Sequence, residues 1–152
     1  SDQMYQEAKN LDPPRLYDAT SGWFPRSNSD FDSQHIYYLS LKLPKQPEKP
    51  VLVSEFGGYS QAVPNHSYAK YTNYGYGGCA DSKTLTARMV ALYRETILPA
   101  IPKGLCGSIY TQLSDVEDET NGFYTYDRRI CKVDKAAMRE LAKELEEKMT
   151  DP

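Results

Sequence analysis

Apolar residues recur along this chain at two spacings. Leu85, Met89, Leu92 and Ile97 follow near-helical intervals and predict a helix over 83–98, with Ser82 as its cap and Pro99 and Pro102 as its end. Met138, Leu141 and Leu145 do the same after Asp134, which can cap a last helix with its Arg, Lys and Glu residues outside. Residues 3–11 read as a further helix, closed by Asp12, Pro13 and Pro14, because proline cannot continue it. Four short segments, 15–19, 34–39, 51–55 and 104–112, read instead as strands. Val51, Leu52 and Val53 are apolar without interruption, as in the interior strands of a parallel sheet covered by helices. Strands alternating with helices or long connectors predict an α/β fold with a parallel sheet. The 152 residues suit one domain.

Strict alternation puts Val51, Val53 and Glu55 on one face and Leu52, Ser54 and Phe56 on the other. In the last strand it puts Leu105, Ile109 and Leu113 opposite Cys106, Ser108, Tyr110 and Gln112, a smaller and more polar set. Glu55 stands out, because it ends an apolar run just ahead of Gly57 and Gly58. Ligands of parallel α/β sheets gather at the carboxyl ends of strands, and glycines there let backbone or substrate come close. A catalytic carboxylate fits that place, and so does a salt-bridged Glu at a strand exit. Two long loops follow the strands. One, 57–81, is rich in Gly, Tyr and Asn; the other, 114–129, carries Asp115, Glu117, Asp118, Glu119 and Asn121.

Charge and composition narrow the partners. Lys and Arg number 18 against 21 Asp and Glu, a net charge of −3 without long runs of one sign, which disfavours nucleic acid and anionic membranes. No apolar stretch approaches the roughly 20 residues that span a bilayer. Cys79, Cys106 and Cys131 lack metal-site or disulfide spacing, so neither metal nor other cofactor is expected; Cys106 reads as a small core residue and Cys79 as a loop residue that is exposed. Tyrosine is in excess, 13 against 4 Phe and 1 Trp. Its apolar ring and polar tip suit ligands such as sugars, although tyrosines also fill cores and interfaces.

Four motifs in order resemble the C-terminal half of the catalytic barrel of glycoside hydrolase family 2, the β-galactosidases, β-glucuronidases and β-mannosidases. Residues 12–23 (DPPRLYDATSGW) resemble barrel strand five, 32–37 (DSQHIY) strand six, 53–57 (VSEFG) strand seven, and 107–115 (GSIYTQLSD) strand eight. The resemblance spans nearly the whole chain and implies the second half of a (β/α)8 TIM barrel, about four parallel strands with helices. Through it Glu55 matches the catalytic nucleophile and Tyr37 a tyrosine that hydrogen-bonds that nucleophile; alternation independently turns His35 and Tyr37 to one face. Tyr110 matches a strand-eight aromatic, usually Trp, that forms a platform for the sugar, and the change to Tyr leaves the substrate class open. His35, Glu119 and Asn121 are candidate substrate contacts.

Retaining glycosidases set two carboxyl groups about 5 Å apart, one attacking the anomeric carbon and one protonating the leaving oxygen. A tyrosine hydroxyl would orient the attacking carboxylate and keep it ionised. The family's acid/base is a Glu that follows an Asn on strand four, and no Asn-Glu pair occurs in these 152 residues. The expectation is therefore a piece of a retaining β-glycosidase, inactive alone, whose partners are a carbohydrate and the remainder of a parent chain. Open strand edges and the uncovered faces of Val51, Val53 and Tyr110 would also favour a homodimer. The competing reading is a non-catalytic carbohydrate-binding or scaffolding module on the same half-barrel.

Overall fold

The computed structural model describes residues 2–20, 22–24, 28–37, 40–45, 47–68 and 74–150. Within them the chain forms helix α1 (Asp2–Leu11), strands β1 (Asp32–Ile36) and β2 (Val51–Gly57), helix α2 (Ser82–Leu92), strand β3 (Leu105–Thr111) and helix α3 (Lys135–Thr150). The strands make one parallel sheet in the order β1-β2-β3. This is a mixed α/β fold with three strands rather than four. Residues 15–19 join no ladder. They are held by single contacts instead: the Tyr17 N–H donates to Asp30 Oδ2 at 2.8 Å, the Asp30 N–H to the Tyr17 carbonyl at 3.0 Å, and the Ala19 N–H to Ser29 Oγ at 3.2 Å. Asp30 also takes Lys9 and Tyr5, and so ties α1 to the segment that precedes β1. The predicted end of the second strand, Tyr38 and Leu39, lies outside the described residues.

Helix α2 starts one residue earlier than its pattern suggested. Asp81, not Ser82, is the cap, accepting from the Thr84 N–H at 2.7 Å. Beyond Leu92 the helix loosens into a π turn (Tyr93–Ile97) and tightens into a 3-10 turn (Leu98–Lys103), because Pro99 and Pro102 lack the N–H groups that α-helical bonding would need. Helix α3 is capped as predicted, with the N–H groups of Ala136 and Ala137 on Asp134 Oδ1 at 2.7 and 3.0 Å. Both helices cover one face of the sheet. Leu85, Met89, Ile97 and Leu141 bury there against Val51, Val53, Phe56, Leu105 and Tyr110.

Two irregularities decide what faces the other way. Gln34 pairs with Val53 and His35 with Glu55, so Ser54 is an extra residue in β2 and its bulge shifts the alternation. Phe56 consequently joins Val51 and Val53 in the core, and Glu55 turns with Leu52 and His35 to the open face. Val51 and Val53 are covered, contrary to the uncovered faces that strict alternation implied. On β3, Leu105 pairs with Val51 and Gly107 with Leu52, leaving Cys106 as the extra residue. Leu105, Ser108 and Tyr110 thus share the core side, Ile109 and Thr111 the open side. The bulge also exposes Cys106, which is not a core residue; Cys79 is half-buried rather than exposed.

Candidate functional site

At the carboxyl end of the open face stands Glu55, its side chain 44% exposed. The bulge at Ser54 puts it there, and the neighbouring strands supply its partners. Tyr37, directly after β1, donates its hydroxyl to Glu55 Oε2 at 2.8 Å. Thr111, the last residue of β3, lies 2.7 Å from the same phenol oxygen. With the phenol proton committed to Glu55, the Thr111 hydroxyl is the donor of that second bond. Three adjacent strands thereby converge on one carboxylate. Burial pushes the Tyr37 phenol well above its ordinary range and the Glu55 carboxylate adds to the rise, against the opposing effect of Thr111. Tyr37 is therefore a fixed proton donor.

His35 Nδ1 lies 3.5 Å from Glu55 Oε2, within ion-pair reach when the imidazole is protonated. Its ring is nine-tenths buried, set edge-on to Trp23 at 6.0 Å and to Tyr37 at 6.5 Å. Gly22 makes room for it. A Cβ on Gly22 would come within 2.4 Å of the His35 ring, and φ of +85° disfavours any other residue.

The described part of the loop after β2 folds back onto the site. Its returning limb pairs with 58–60: the Tyr76 N–H donates to the Gly58 carbonyl at 2.8 Å, and the Cys79 N–H to the Ser60 carbonyl at 2.7 Å. Tyr76 consequently stacks on Tyr37, ring centroids 3.7 Å apart and planes 12° from parallel. Gly58 is required for that contact, because a Cβ there would stand 2.6 Å from Tyr76.

The second loop makes a separate polar cluster one residue beyond Thr111. Gln112, joined to Thr111 by a cis peptide bond, donates from Nε2 to Glu119 Oε2 and Asn121 Oδ1, each at 2.9 Å. Asn121 donates to the same Glu119 oxygen at 3.1 Å. No described residue is bonded to the other Glu119 oxygen, while Asn121 is buried behind it. Glu119 and Asn121 stand together, and the backbone step from Thr111 to Gln112 links them to the Glu55 cluster.

Tyr110 lies elsewhere. It points to the core side, 8% exposed, packed on Phe56 and Phe123, with its hydroxyl accepting from the Tyr59 N–H at 3.1 Å. In this structure its ring is not part of the Glu55 face. Sequence patterning assigned no role to Thr111, Gln112, Tyr76 or Lys132. Thr111 and Gln112 fall inside the 107–115 motif, where only Tyr110 stood out. Lys132 carries a plainer signal: it is a lone cation in the apolar run Ile130, Cys131, Lys132, Val133. It is fully buried, and Nζ donates to Asp115 Oδ1 at 2.6 Å, to the Thr120 carbonyl at 2.8 Å and to the Gln61 carbonyl at 3.0 Å. Three acceptors match the three protons of an ammonium. Lys132 thus pins the loop that bears Glu119 to the loop that follows Glu55.

No protein-family model matches this chain, and no curated protein does. Chemically, the site offers one partly exposed carboxylate with an immobilised hydroxyl donor, flanked by aromatic rings. Among the described residues, the Tyr37 hydroxyl and the His35 imidazole lie within reach of that carboxylate. Among the described residues no cluster of His, Cys, Asp and Glu could hold a metal ion, and no helix is long and apolar enough to cross a membrane.

Proposed function

We propose that this chain is the nucleophile-bearing half of a retaining β-glycosidase barrel, acting on a terminal β-linked sugar, with Glu55 as the attacking carboxylate. The observation that carries the reading is the 2.8 Å bond from Tyr37 to Glu55 Oε2 at the carboxyl end of three parallel strands. A hydrogen bond from the fixed Tyr37 phenol orients the carboxylate for attack. The parallel sheet supports the half-barrel too. Such sheets are covered on both faces, and among the described residues helices cover only one while Ile109 on the other is 56% exposed. In the complete barrel the remaining strands cover that face and supply the acid/base.

Attack at the anomeric carbon forms a bond to a Glu55 oxygen as the bond to the leaving oxygen breaks, and a leaving group of low basicity departs without a proton. The chain alone therefore reacts with a dinitrophenyl β-galactoside. In the presence of azide, which needs no general base, the glycosyl-Glu55 intermediate yields a β-galactosyl azide. Formation of that azide by the wild-type chain and its loss in Glu55→Gln is the expected result. An azide product that persists in Glu55→Gln, or no product from the folded wild-type chain, overturns the assignment.

A further inference from the structure

Three tyrosine rings run in a row away from Glu55. Tyr37 holds the carboxylate, Tyr76 stacks on Tyr37, and Tyr74 meets Tyr76 edge-on with centroids 5.7 Å apart. The first two are occupied with each other. Tyr74, at the outer end, is 47% exposed. Its backbone is fixed on both sides of Glu119: the Tyr74 N–H donates to the Asp118 carbonyl at 2.7 Å, and the Thr120 N–H to the Tyr74 carbonyl at 3.0 Å. The exposed ring thus belongs to a residue bridged through its backbone to Glu119, whose Oε2 is held by Gln112 and Asn121 while no described residue is bonded to Oε1. Scattered exposed aromatics are common, so what singles out Tyr74 is the backbone pairing that fixes it to the loop that bears Glu119.

A ring face and a neighbouring carboxylate are complementary to a pyranose, whose axial C–H groups stack on the ring while a hydroxyl donates to the acid. If the reacting sugar is the terminal one, a second sugar bound nearby is the one that leaves. We infer that Tyr74 is a specificity-determining residue that stacks the leaving-group sugar of a β-linked disaccharide, with Glu119 accepting a hydrogen bond from one of its hydroxyls. This rests on the reading of Glu55 above. It adds that the substrate is recognised over two sugar units.

The test compares methyl β-galactoside with lactose, which adds a leaving-group glucose to the same galactose, by saturation-transfer NMR titration of the whole chain. Wild-type protein binds lactose roughly tenfold more tightly, the upper range for one aromatic stacking contact. Tyr74→Ala erases that preference with the methyl galactoside unchanged, and Tyr74→Phe, which keeps the ring, retains it. Equal binding of the two sugars by wild type overturns the inference and leaves the Glu55 reading standing, as does a preference that survives Tyr74→Ala. Tyr74→Ala weakening both sugars alike also overturns it, because the ring would then serve the reacting sugar. If neither sugar binds the wild-type chain, both the inference and the Glu55 reading fail.

Discussion

Lys132 Nζ and Asp115 Oδ1 are 2.6 Å apart with both side chains out of water, and they join the two loops that flank the candidate site. Burial drives both toward their neutral forms, Lys132 down and Asp115 up, and their mutual contact opposes that drift. Breaking such a pair leaves a buried charge without its partner, which typically costs about 3–5 kcal/mol. Lys132→Met should destabilise the chain by that order in urea unfolding. Adding Asp115→Leu should recover part of the loss, because the orphaned charge goes too. A double variant no more stable than Lys132→Met would contradict the account.

Alkaline pH probes the buried phenols. Burial raises Tyr93 to about 12, against a hydrogen bond with Ser108 that opposes the rise. A phenol whose folded value exceeds its ordinary 10.0 holds its proton more tightly in the folded chain, so its stabilisation is whole below pH 10 and fades as pH climbs toward 12. Unfolding midpoints in urea should fall from pH 10 upward, and the fall should be shallower in Tyr93→Phe. An identical slope in that variant would remove Tyr93 from the explanation.

Poor leaving groups separate attack from full catalysis. General acid catalysis contributes typically about 100-fold to 10,000-fold, so this chain should not turn over methyl β-galactoside at a measurable rate. Glucose-free monitoring of released galactose by coupled oxidation checks this. Release that Glu55→Gln abolishes would mean that an acid/base lies within these residues after all.

The open face favours association. Leu52 and Ile109 lie on the side of the sheet that no described helix covers, and a second copy is the simplest cover for them. Light scattering should report a dimer fraction that grows through the micromolar range and collapses in Ile109→Lys. A wild-type monomer at high micromolar concentration would refute this.

Much of the architecture follows from sequence periodicity, and the departures have local causes. Leu85, Met89, Met138 and Leu141 marked α2 and α3 because helical spacing survives small shifts. Strand faces do not survive them. One extra residue at Ser54 reverses every later side chain on β2, and nothing in Val53, Ser54, Glu55 announces it. Residues 15–19 read as a short strand, yet Asp30 and Ser29 satisfy their backbone with side-chain and single backbone bonds, so no ladder forms. At the site, Glu55, His35 and Tyr37 were legible because they fall at the ends of adjacent strands. Tyr76 was not, since loop pairing brings it in from a position without periodicity, and Lys132 was marked only as a cation in an apolar run.

The most direct measurement is covalent. A 2-fluoro galactoside with a dinitrophenyl leaving group slows release of the sugar after attack, so the galactosyl group should remain on the peptide that contains Glu55 when the labelled chain is digested and weighed. Tyr37→Phe removes a hydrogen bond to a charged group, worth about 1.5–3 kcal/mol, and should slow labelling by roughly tenfold or more. Label on Glu55, slowed in Tyr37→Phe and missing in Glu55→Gln, is the predicted result; label on any other residue, or none on a chain that binds the galactoside, would contradict the central claim.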